Sequence, residues 1–329
     1  AHRKTTPDAG LELRLLHVND THAFLAGIDE HMNACFEAAD CRGCLARISA
    51  AIQTARQEQD NVIALDAGDQ FQGTLFYSVN KWPVIAAADA LLPYDAMTLG
   101  NHEFDEGCRE LARFLEAQPL PELAANLTPQ QGCPLAGSRI RPYLVRTVRG
   151  TRVGIIGLAN DEVTGLAAAG PRTTFRDART TLQQYVAELE AQGIRHIIVV
   201  THLGLERDRE LARSVNGVDV IVGGHTHTYL GPGSKDGPYP IVEHAPDGAP
   251  VLVVTAARAT GGSEHNLRCG GYPCVLDGRS PGTPPGSAAG RSHDPSGGRL
   301  REEPGALSYG DRRPPQRADA GRHGSLPQG

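Results

Sequence analysis

The chain has 329 residues, which is enough for one large domain or two ordinary ones with a substantial core. Apolar residues make up 40% of it, but no run approaches the ~20 residues that cross a bilayer, so we expect no membrane span. The formal net charge of −6 disfavours a nucleic-acid polymer as partner, because proteins that bind one normally carry a basic patch. This charge is still compatible with a small anionic substrate that metal ions hold.

The chain opens on a polar stretch, Ala1 to Gly10, which lacks the apolar core of a signal peptide. We interpret residues 1–12 as the flexible start of a mature exported chain, and we expect a periplasmic or secreted protein. Cys35, Cys41 and Cys44 then lie in a loop-like stretch, where a disulfide fits an oxidising compartment. The Cys41 to Cys44 spacing also fits a zinc knuckle or a redox pair, but no second CxxC pair accompanies it, which favours a disulfide or free thiols.

Short apolar runs alternate with helical patterns from residue 13 to residue 258. The predicted strands are Leu13 to Val18, Val62 to Leu65, Ala96 to Leu99, Leu123 to Leu127, Tyr143 to Val148, Val153 to Leu158, His196 to Val200, Val218 to Val222 and Val251 to Thr255. The predicted helices are Leu45 to Gln57, Val84 to Leu92, Arg109 to Ala117, Thr180 to Gln192 and Glu206 to Val215. Such alternation predicts a layered α/β domain that carries its functional residues at the carboxyl ends of the strands.

The composition changes abruptly at about Thr260. Residues 261–329 contain no Ile, Phe, Trp, Met or Lys, and roughly a third of them are Gly or Pro, a composition typical of disorder. Abundant Arg without Lys is typical of GC-rich coding sequence read in the wrong frame, and a natural low-complexity tail is the alternative. We therefore expect residues 259–329 to form an irregular tail and no second folded domain.

Five polar clusters each follow an apolar run. They are Asp20-Thr21-His22, Gly68-Asp69, Gly100-Asn101-His102-Glu103, Thr201-His202 and Gly223-Gly224-His225-Thr226-His227. Each is weak alone, since a His at a strand end is more often structural and a Gly-Asp pair is usually a turn. Together they are informative, because a doubly wound sheet brings the carboxyl ends of its strands to one edge.

Carboxylate, imidazole and amide donors without a thiolate suit zinc, manganese, iron, cobalt, nickel or magnesium rather than a structural Cys-rich zinc site. Seven such donors exceed what one tetrahedral ion takes, so the sequence predicts two divalent metal ions that share a bridging carboxylate. A water that bridges two such ions can ionise near neutral pH and attack phosphorus.

In this order the clusters closely resemble the 5'-nucleotidase family of the calcineurin-like metallophosphoesterases. The strings that carry the resemblance are residues 17–22 (HVNDTH), 66–73 (DAGDQFQG), 100–105 (GNHEFD), 201–204 (THLG) and 223–227 (GGHTH). The resemblance covers residues 13–258, and it implies a four-layer α-β-β-α metallophosphoesterase sandwich that hydrolyses nucleoside monophosphates.

The resemblance also assigns roles to individual positions. It implies one ion on Asp20, His22 and His227, a second on Asn101, His202 and His225, and Asp69 as the bridge between them. It implies that His102 and Asp105 form the catalytic dyad and that Asn101 and His102 bind substrate. Glu103 and Phe104 are expected to hold the loop rather than to touch substrate.

The tail departs from the family pattern. Two-domain members stack the base between aromatic rings of a C-terminal domain, whereas residues 261–329 offer only Tyr272 and Tyr309, so we expect weak nucleotide affinity and little base selectivity. The alternatives are a 2',3'-cyclic-nucleotide phosphodiesterase, a nucleotide-sugar diphosphatase, or a truncated metal-binding protein without activity. We expect a monomer whose partner is a small nucleotide or other phosphate ester.

Overall fold

The structure is a computed structural model that describes residues 11–29, 34–35, 43–163 and 173–257, together with the backbone of residues 273–276. The interpretation of residues 1–10 as flexible lies outside the described residues, and so does most of the predicted tail. The structure differs from the prediction at the start of the first strand and in the tail. The first strand begins at Leu11, and Pro273–Leu276 in the tail forms a strand that pairs antiparallel with it.

The described strands build two main sheets and two small pairs. They are β1 Leu11–Val18, β2 Gly27–Ile28, β3 Ala34–Cys35, β4 Val62–Asp66, β5 Ala96–Thr98, β6 Glu122–Leu123, β7 Leu127–Pro129, β8 Tyr143–Val148, β9 Thr151–Leu158, β10 Thr173–Phe175, β11 His196–Thr201, β12 Val220–Gly223, β13 Ile241–His244, β14 Pro250–Thr255 and β15 Pro273–Leu276. The first sheet has the order β15-β1-β4-β5-β6, the second β13-β14-β12-β11-β9-β8, and the pairs are β10-β7 and β2-β3. Within the first sheet β1, β4, β5 and β6 are parallel, and within the second β9, β11, β12 and β14 are parallel.

The two main sheets face each other and carry helices on their outer faces. Strand β11 shows the arrangement: Ile198 and Val200 join Leu13 and Leu65 in the core between the sheets, while Val199 packs with the helices on the other side. Because strands buried on both faces read as continuous apolar runs, this architecture explains the runs in the sequence. The fold is the predicted four-layer α-β-β-α sandwich.

Six α-helices are described: α1 Leu45–Glu58, α2 Leu75–Asn80, α3 Trp82–Asp89, α4 Gly107–Ala117, α5 Ala178–Ala191 and α6 Leu205–Ser214. Helix α5 begins where the Asp177 side chain accepts a hydrogen bond from the Thr180 backbone N–H, which satisfies one of the unpaired donors of the first turn. None of the helices in the described part of the chain has the length and apolar character that a bilayer crossing requires.

The predicted strand from Leu123 to Leu127 is wrong. The chain instead forms β6 and β7 and passes between the sheets in the intervening residues, where the Ala125 N–H donates to the Gly157 carbonyl of the second sheet. The Asn126 side chain holds this crossing, since it donates to the Ala159 carbonyl at 2.8 Å and accepts from the Ala159 N–H at 2.9 Å. A β-carbon at Gly157 would lie 2.2 Å from the Leu123 carbonyl oxygen, so the close approach needs glycine.

Candidate functional site

The predicted site residues follow parallel strands of both main sheets. Asp20 follows β1, Asp69 follows β4 and Asn101 follows β5 in the first sheet, while His202 follows β11 and the His225 to His227 segment follows β12 in the second. The premise that one sheet edge gathers all the clusters is therefore wrong, because two facing sheets supply them. The clusters nevertheless converge in space.

One group of donors consists of Asp20, His22 and His227. Asp20 Oδ1 lies 3.1 Å from His227 Nε2 and 3.7 Å from His22 Nε2, and the two imidazole Nε2 atoms are 3.1 Å apart. Ligand atoms of these three residues all lie within 4.8 Å of one another, as a shared cation requires.

A second group consists of Asp69, His202 and His225, whose ligand atoms also lie within 4.8 Å of one another. Asp69 Oδ2 is 3.2 Å from His202 Nε2 and 4.0 Å from His22 Nε2, so this carboxylate lies between the two groups. Asp69 also belongs to a third group of the same kind with His22 and His102. The predicted ligands with carboxylate or imidazole side chains are therefore brought together in one place.

Three buried atoms of predicted ligands have no hydrogen-bond partner among the described residues: Asp20 Oδ1, Asn101 Oδ1 and His202 Nε2. Two of them make only ion-pair contacts, Asp20 Oδ1 with His227 Nε2 and His202 Nε2 with Asp69 Oδ2, and burying such atoms without a hydrogen bond is costly. Divalent cations would satisfy all three, and the donor set of carboxylate, amide and imidazole suits them. The residues present therefore fit the metals that the sequence implies.

The backbone is strained at most of the predicted ligands. Asp20, His22, Asp69, His225 and His227 have φ angles of 52°, 45°, 60°, 77° and 52°, in the left-handed region that non-glycine residues rarely adopt. Each such residue costs of order 1–3 kcal/mol and persists only where its surroundings determine it. The strain turns consecutive side chains toward one point, which regular strands cannot do.

Residues behind the ligands orient them. The His202 Nδ1–H donates to the Ala67 carbonyl at 2.6 Å and the His22 Nδ1–H donates to the Phe71 carbonyl at 3.1 Å, so both rings present Nε2 to the site. Asn19 donates to Asp20 Oδ2 at 2.6 Å and accepts from the Ala256 N–H at 2.8 Å, which ties the ligand to the end of β14. No sequence signal points to this role of Asn19, because its partner lies far along the chain.

His102 and Asp105 form the predicted pair. The His102 Nδ1–H donates to Asp105 Oδ2 at 2.8 Å, and Gln72 Nε2 donates to the same oxygen at 2.7 Å, a third member that the sequence analysis missed. Burial disfavours the charged ring, but the hydrogen bond to Asp105 and the nearby Asp69 carboxylate outweigh it and raise the pKa of His102. His102 is half-buried, and its ring packs edge to face against the His22 ring with the centroids 5.5 Å apart.

The charges of the site favour cations. Burial opposes the ionised form of Asp69, yet the His202 ring beside it holds the pKa of this carboxyl below its usual range. Burial likewise opposes a charged His202, but the Asp69 and Asp20 carboxylates raise its pKa to about 10. Because imidazole and carboxylate ligands bind metal in their deprotonated forms, cation binding to these residues is expected to release protons.

A pair of buried carboxyl groups lies behind the Asp69 loop. Gln70 Nε2 donates to Asp66 Oδ2 at 2.9 Å and to Asp89 Oδ1 at 3.1 Å. Burial raises the pKa of Asp66 to about 7, and burial with the neighbouring Asp66 raises the pKa of Asp89 well above its usual range. Both carboxyl groups are therefore neutral in the folded chain at mildly acidic pH.

This neutral state predicts the pH dependence of stability. Because the folded pKa of Asp66 exceeds its unfolded value, its contribution to the free energy of unfolding is complete below about pH 4 and lost as the pH rises through about 7. In denaturant unfolding of the chelator-treated chain, the free energy of unfolding should fall as the pH rises from 5 to 6.5. Asp66→Asn should make this fall smaller by about 1.4 kcal/mol per pH unit. Asp236→Asn, at an exposed carboxylate, should leave the slope unchanged, and an equal slope in both variants would refute the assignment.

Known proteins match the chain over the same region. The family model of the calcineurin-like phosphoesterases matches residues 13–229. The chain is 40% identical over 262 residues to the 5'-nucleotidase of Homo sapiens, covering 76% of this chain and 45% of that protein. The chain thus spans about half the length of this curated relative.

Two solved structures resemble the fold. The 5'-nucleotidase precursor of Thermus thermophilus superimposes with a TM-score of 0.69 and 39% identity, over 76% of this chain and 49% of that one. The NAD nucleotidase of Haemophilus influenzae gives a TM-score of 0.69 and 31% identity, over 76% of this chain and 46% of that one.

Proposed function

The chain belongs to the calcineurin-like phosphoesterase family, and we propose on this basis that it is a two-metal hydrolase of phosphate esters of the 5'-nucleotidase type. The observation that carries the proposal is the convergence of Asp20, His22 and His227 with Asp69, His202 and His225. Buried ligand atoms without hydrogen-bond partners among the described residues, at Asp20, Asn101 and His202, support it, since cations would satisfy them.

In this proposal Asp20, His22 and His227 hold one divalent cation and Asn101, His202 and His225 hold the other, with Asp69 shared between them. When bound, such a pair of cations supplies Lewis acidity that lowers the pKa of water and neutralises charge on phosphoryl oxygens. The donor set suits zinc, manganese, iron, cobalt, nickel or magnesium and selects none of them.

The remaining residues bind the phosphoryl group and move a proton. Asn101 and His102 lie beside each other at the end of β5, where they would orient the phosphate oxygens. Asp105, which accepts a hydrogen bond from Gln72, fixes the His102 ring through Nδ1 and leaves Nε2 to donate a proton to the departing ribose oxygen. A positioned acid of this kind contributes about 10²–10⁴-fold to the rate.

A second candidate reaction is hydrolysis of a phosphoanhydride, as in a nucleotide-sugar diphosphatase. The resemblance to the structure named NAD nucleotidase favours it, at 31% identity over 76% of this chain. The cations that the donor groups would hold bind phosphoryl oxygens in either substrate, so the donor groups do not discriminate between the two leaving groups.

Steady-state rates on AMP, 2',3'-cyclic AMP, UDP-glucose and NAD distinguish these reactions. We expect kcat/KM for AMP to exceed the other values, because the relative that the chain matches at 40% identity is a 5'-nucleotidase. A higher kcat/KM for UDP-glucose or NAD would replace the proposal with a diphosphatase, and a higher value for the cyclic nucleotide would replace it with a phosphodiesterase. A metal-loaded chain inactive on all four substrates would contradict both candidate reactions.

The described cysteines support an exported protein, which we also propose. Cys35 is disulfide-bonded, whereas Cys44 is a free thiol. Structural disulfides form and persist in oxidising compartments such as the periplasm and the extracellular space. Mass mapping of the protein from its native host, with and without reduction, would contradict the proposal if Cys35 proved unpaired.

A further inference from the structure

Glu103 is buried directly behind the candidate metal site, and its carboxylate accepts four backbone hydrogen bonds. Oε2 accepts from the Gly100 N–H at 2.6 Å and the Asp69 N–H at 3.1 Å. Oε1 accepts from the Gln70 N–H at 2.8 Å and the Phe71 N–H at 3.2 Å. One side chain thus satisfies four backbone donors, and all four lie in the segments that carry the ligands.

These four N–H groups belong to the two loops that supply the central ligands. The loop after β4 contains Asp69, and the loop after β5 contains Asn101, whose preceding residue is Gly100. Phe71 extends the connection to a third ligand, because its carbonyl accepts the hydrogen bond from His22 Nδ1. Glu103 therefore reaches Asp69 directly, Asn101 through the adjacent Gly100, and His22 through Phe71.

The two loops are in close contact, with no room for a side chain at either of two glycines. A β-carbon on Gly100 would lie 2.1 Å from Asp69 Oδ1, and one on Gly68 would lie 2.6 Å from the Gly100 nitrogen. The His102 N–H also donates to Asp69 Oδ1 at 2.9 Å. Without the Glu103 carboxylate, buried N–H groups in both loops would be left unpaired while Asp69 held a strained φ of 60°.

We propose that Glu103 is a positioning residue that sets the affinity of the site for divalent cations by fixing the backbone of both ligand loops. This role rests on the proposed function, since it assumes that the site binds cations. A carboxylate suits the task because both oxygens accept and neither donates. An amide at the same place has only one accepting oxygen, and its NH₂ group would point at backbone N–H donors.

The test compares Glu103→Gln with Glu122→Gln. Glu122, on β6, is also buried, and its side chain accepts a hydrogen bond from Gln118 Nε2 at 3.1 Å. Burial raises the pKa of Glu122 well above its usual range, so the amide of glutamine resembles the neutral carboxyl group that it replaces. Manganese affinity is measured by competition with a chelating dye, and thermal unfolding of the metal-free chains is measured alongside. We expect Glu103→Gln to weaken manganese binding about 10–100-fold, the usual cost of losing a residue that orients ligands, while Glu122→Gln binds like the wild type.

Each outcome decides the question. Equal affinity in Glu103→Gln and wild type would overturn the role of Glu103 and leave the proposed function intact. An equal loss in both variants would also overturn it, because the effect would then be a general one of buried carboxyl groups. A wild-type chain that binds no manganese would contradict the proposed function and this role with it.

A second measurement covers the case in which Glu103→Gln does not fold. Amide hydrogen exchange in the metal-free wild type should protect Asp69, Gln70, Phe71 and Gly100 as strongly as strand residues, because the carboxylate already holds them. Rapid exchange of these four amides, with protection gained only on adding manganese, would show that the metal orders the loops and would overturn the proposal.

Discussion

Asp69→Asn is expected to lose both cations and nearly all turnover. Asp69 Oδ2 lies 3.2 Å from His202 Nε2 and 4.0 Å from His22 Nε2, so its charge serves both donor groups. Asparagine keeps the size and the oxygen that accepts the His102 backbone N–H, but it removes the negative charge and replaces the second accepting oxygen by an NH₂ group that cannot bind a cation. We expect the affinity for manganese to fall by more than about 100-fold, beyond the usual cost of losing an orienting residue.

The measurement is the metal content after dialysis against micromolar manganese, with release of p-nitrophenol from its phosphate ester as the rate assay. Asp89→Asn is the matched control, because Asp89 is a buried carboxyl group that burial keeps neutral and that belongs to neither donor group. If Asp69→Asn kept one full equivalent of manganese, the shared position of Asp69 would be wrong.

His102→Ala is expected to keep both cations and to lose turnover by about 10²–10⁴-fold, the range for a positioned proton donor. Its Nδ1 is engaged by Asp105, and no ligand in the proposed pair depends on the ring. The alternative is that His102 binds a cation, because ligand atoms of His102, His22 and Asp69 also lie within 4.8 Å of one another. Metal content therefore separates a proton donor from a third ligand.

Single-turnover rates on AMP and metal content should be measured on the same preparation of His102→Ala. His244→Ala is the control, since His244 is exposed at the end of β13 and lies in none of the donor groups. A near-normal rate in His102→Ala would refute the catalytic role, and a loss of one equivalent of metal would make His102 a ligand.

The inner strands and most helices could be predicted from the sequence because both main sheets are buried on two faces, whereas short and edge strands such as β13 were not predicted. Every predicted strand and helix except one lies within three residues of its observed bounds, and Ile197 to Val200 shows why: alternate residues enter different cores. The exception was Leu123 to Leu127, where apolar residues cross between sheets. Helix α2 was missed because Leu75 and Val79 are exposed apolar residues and give no amphipathic pattern.

The ligand types could be predicted because they occur in short strings after apolar runs, whereas the pairing of His102 with Asp105 followed only from the family resemblance. Glu103 was also expected to hold its loop, but the contacts through which the residues behind the ligands orient them could not be predicted. Asn19 bonds the backbone of Ala256, 237 positions away, and Glu103 bonds amides more than thirty positions away, so only the folded chain brings these partners together. The pattern of apolar runs alone did not distinguish one sheet from two, and only the family resemblance implied the two facing sheets that supply the site.

The central claim is that residues from two facing sheets hold a pair of divalent cations. The most direct measurement is the number of manganese or zinc equivalents that the folded wild-type chain binds, by plasma mass spectrometry after gel filtration in a known excess of metal. The proposed site predicts two equivalents per chain. One equivalent or none, in a chain whose circular dichroism shows it to be folded, would contradict it.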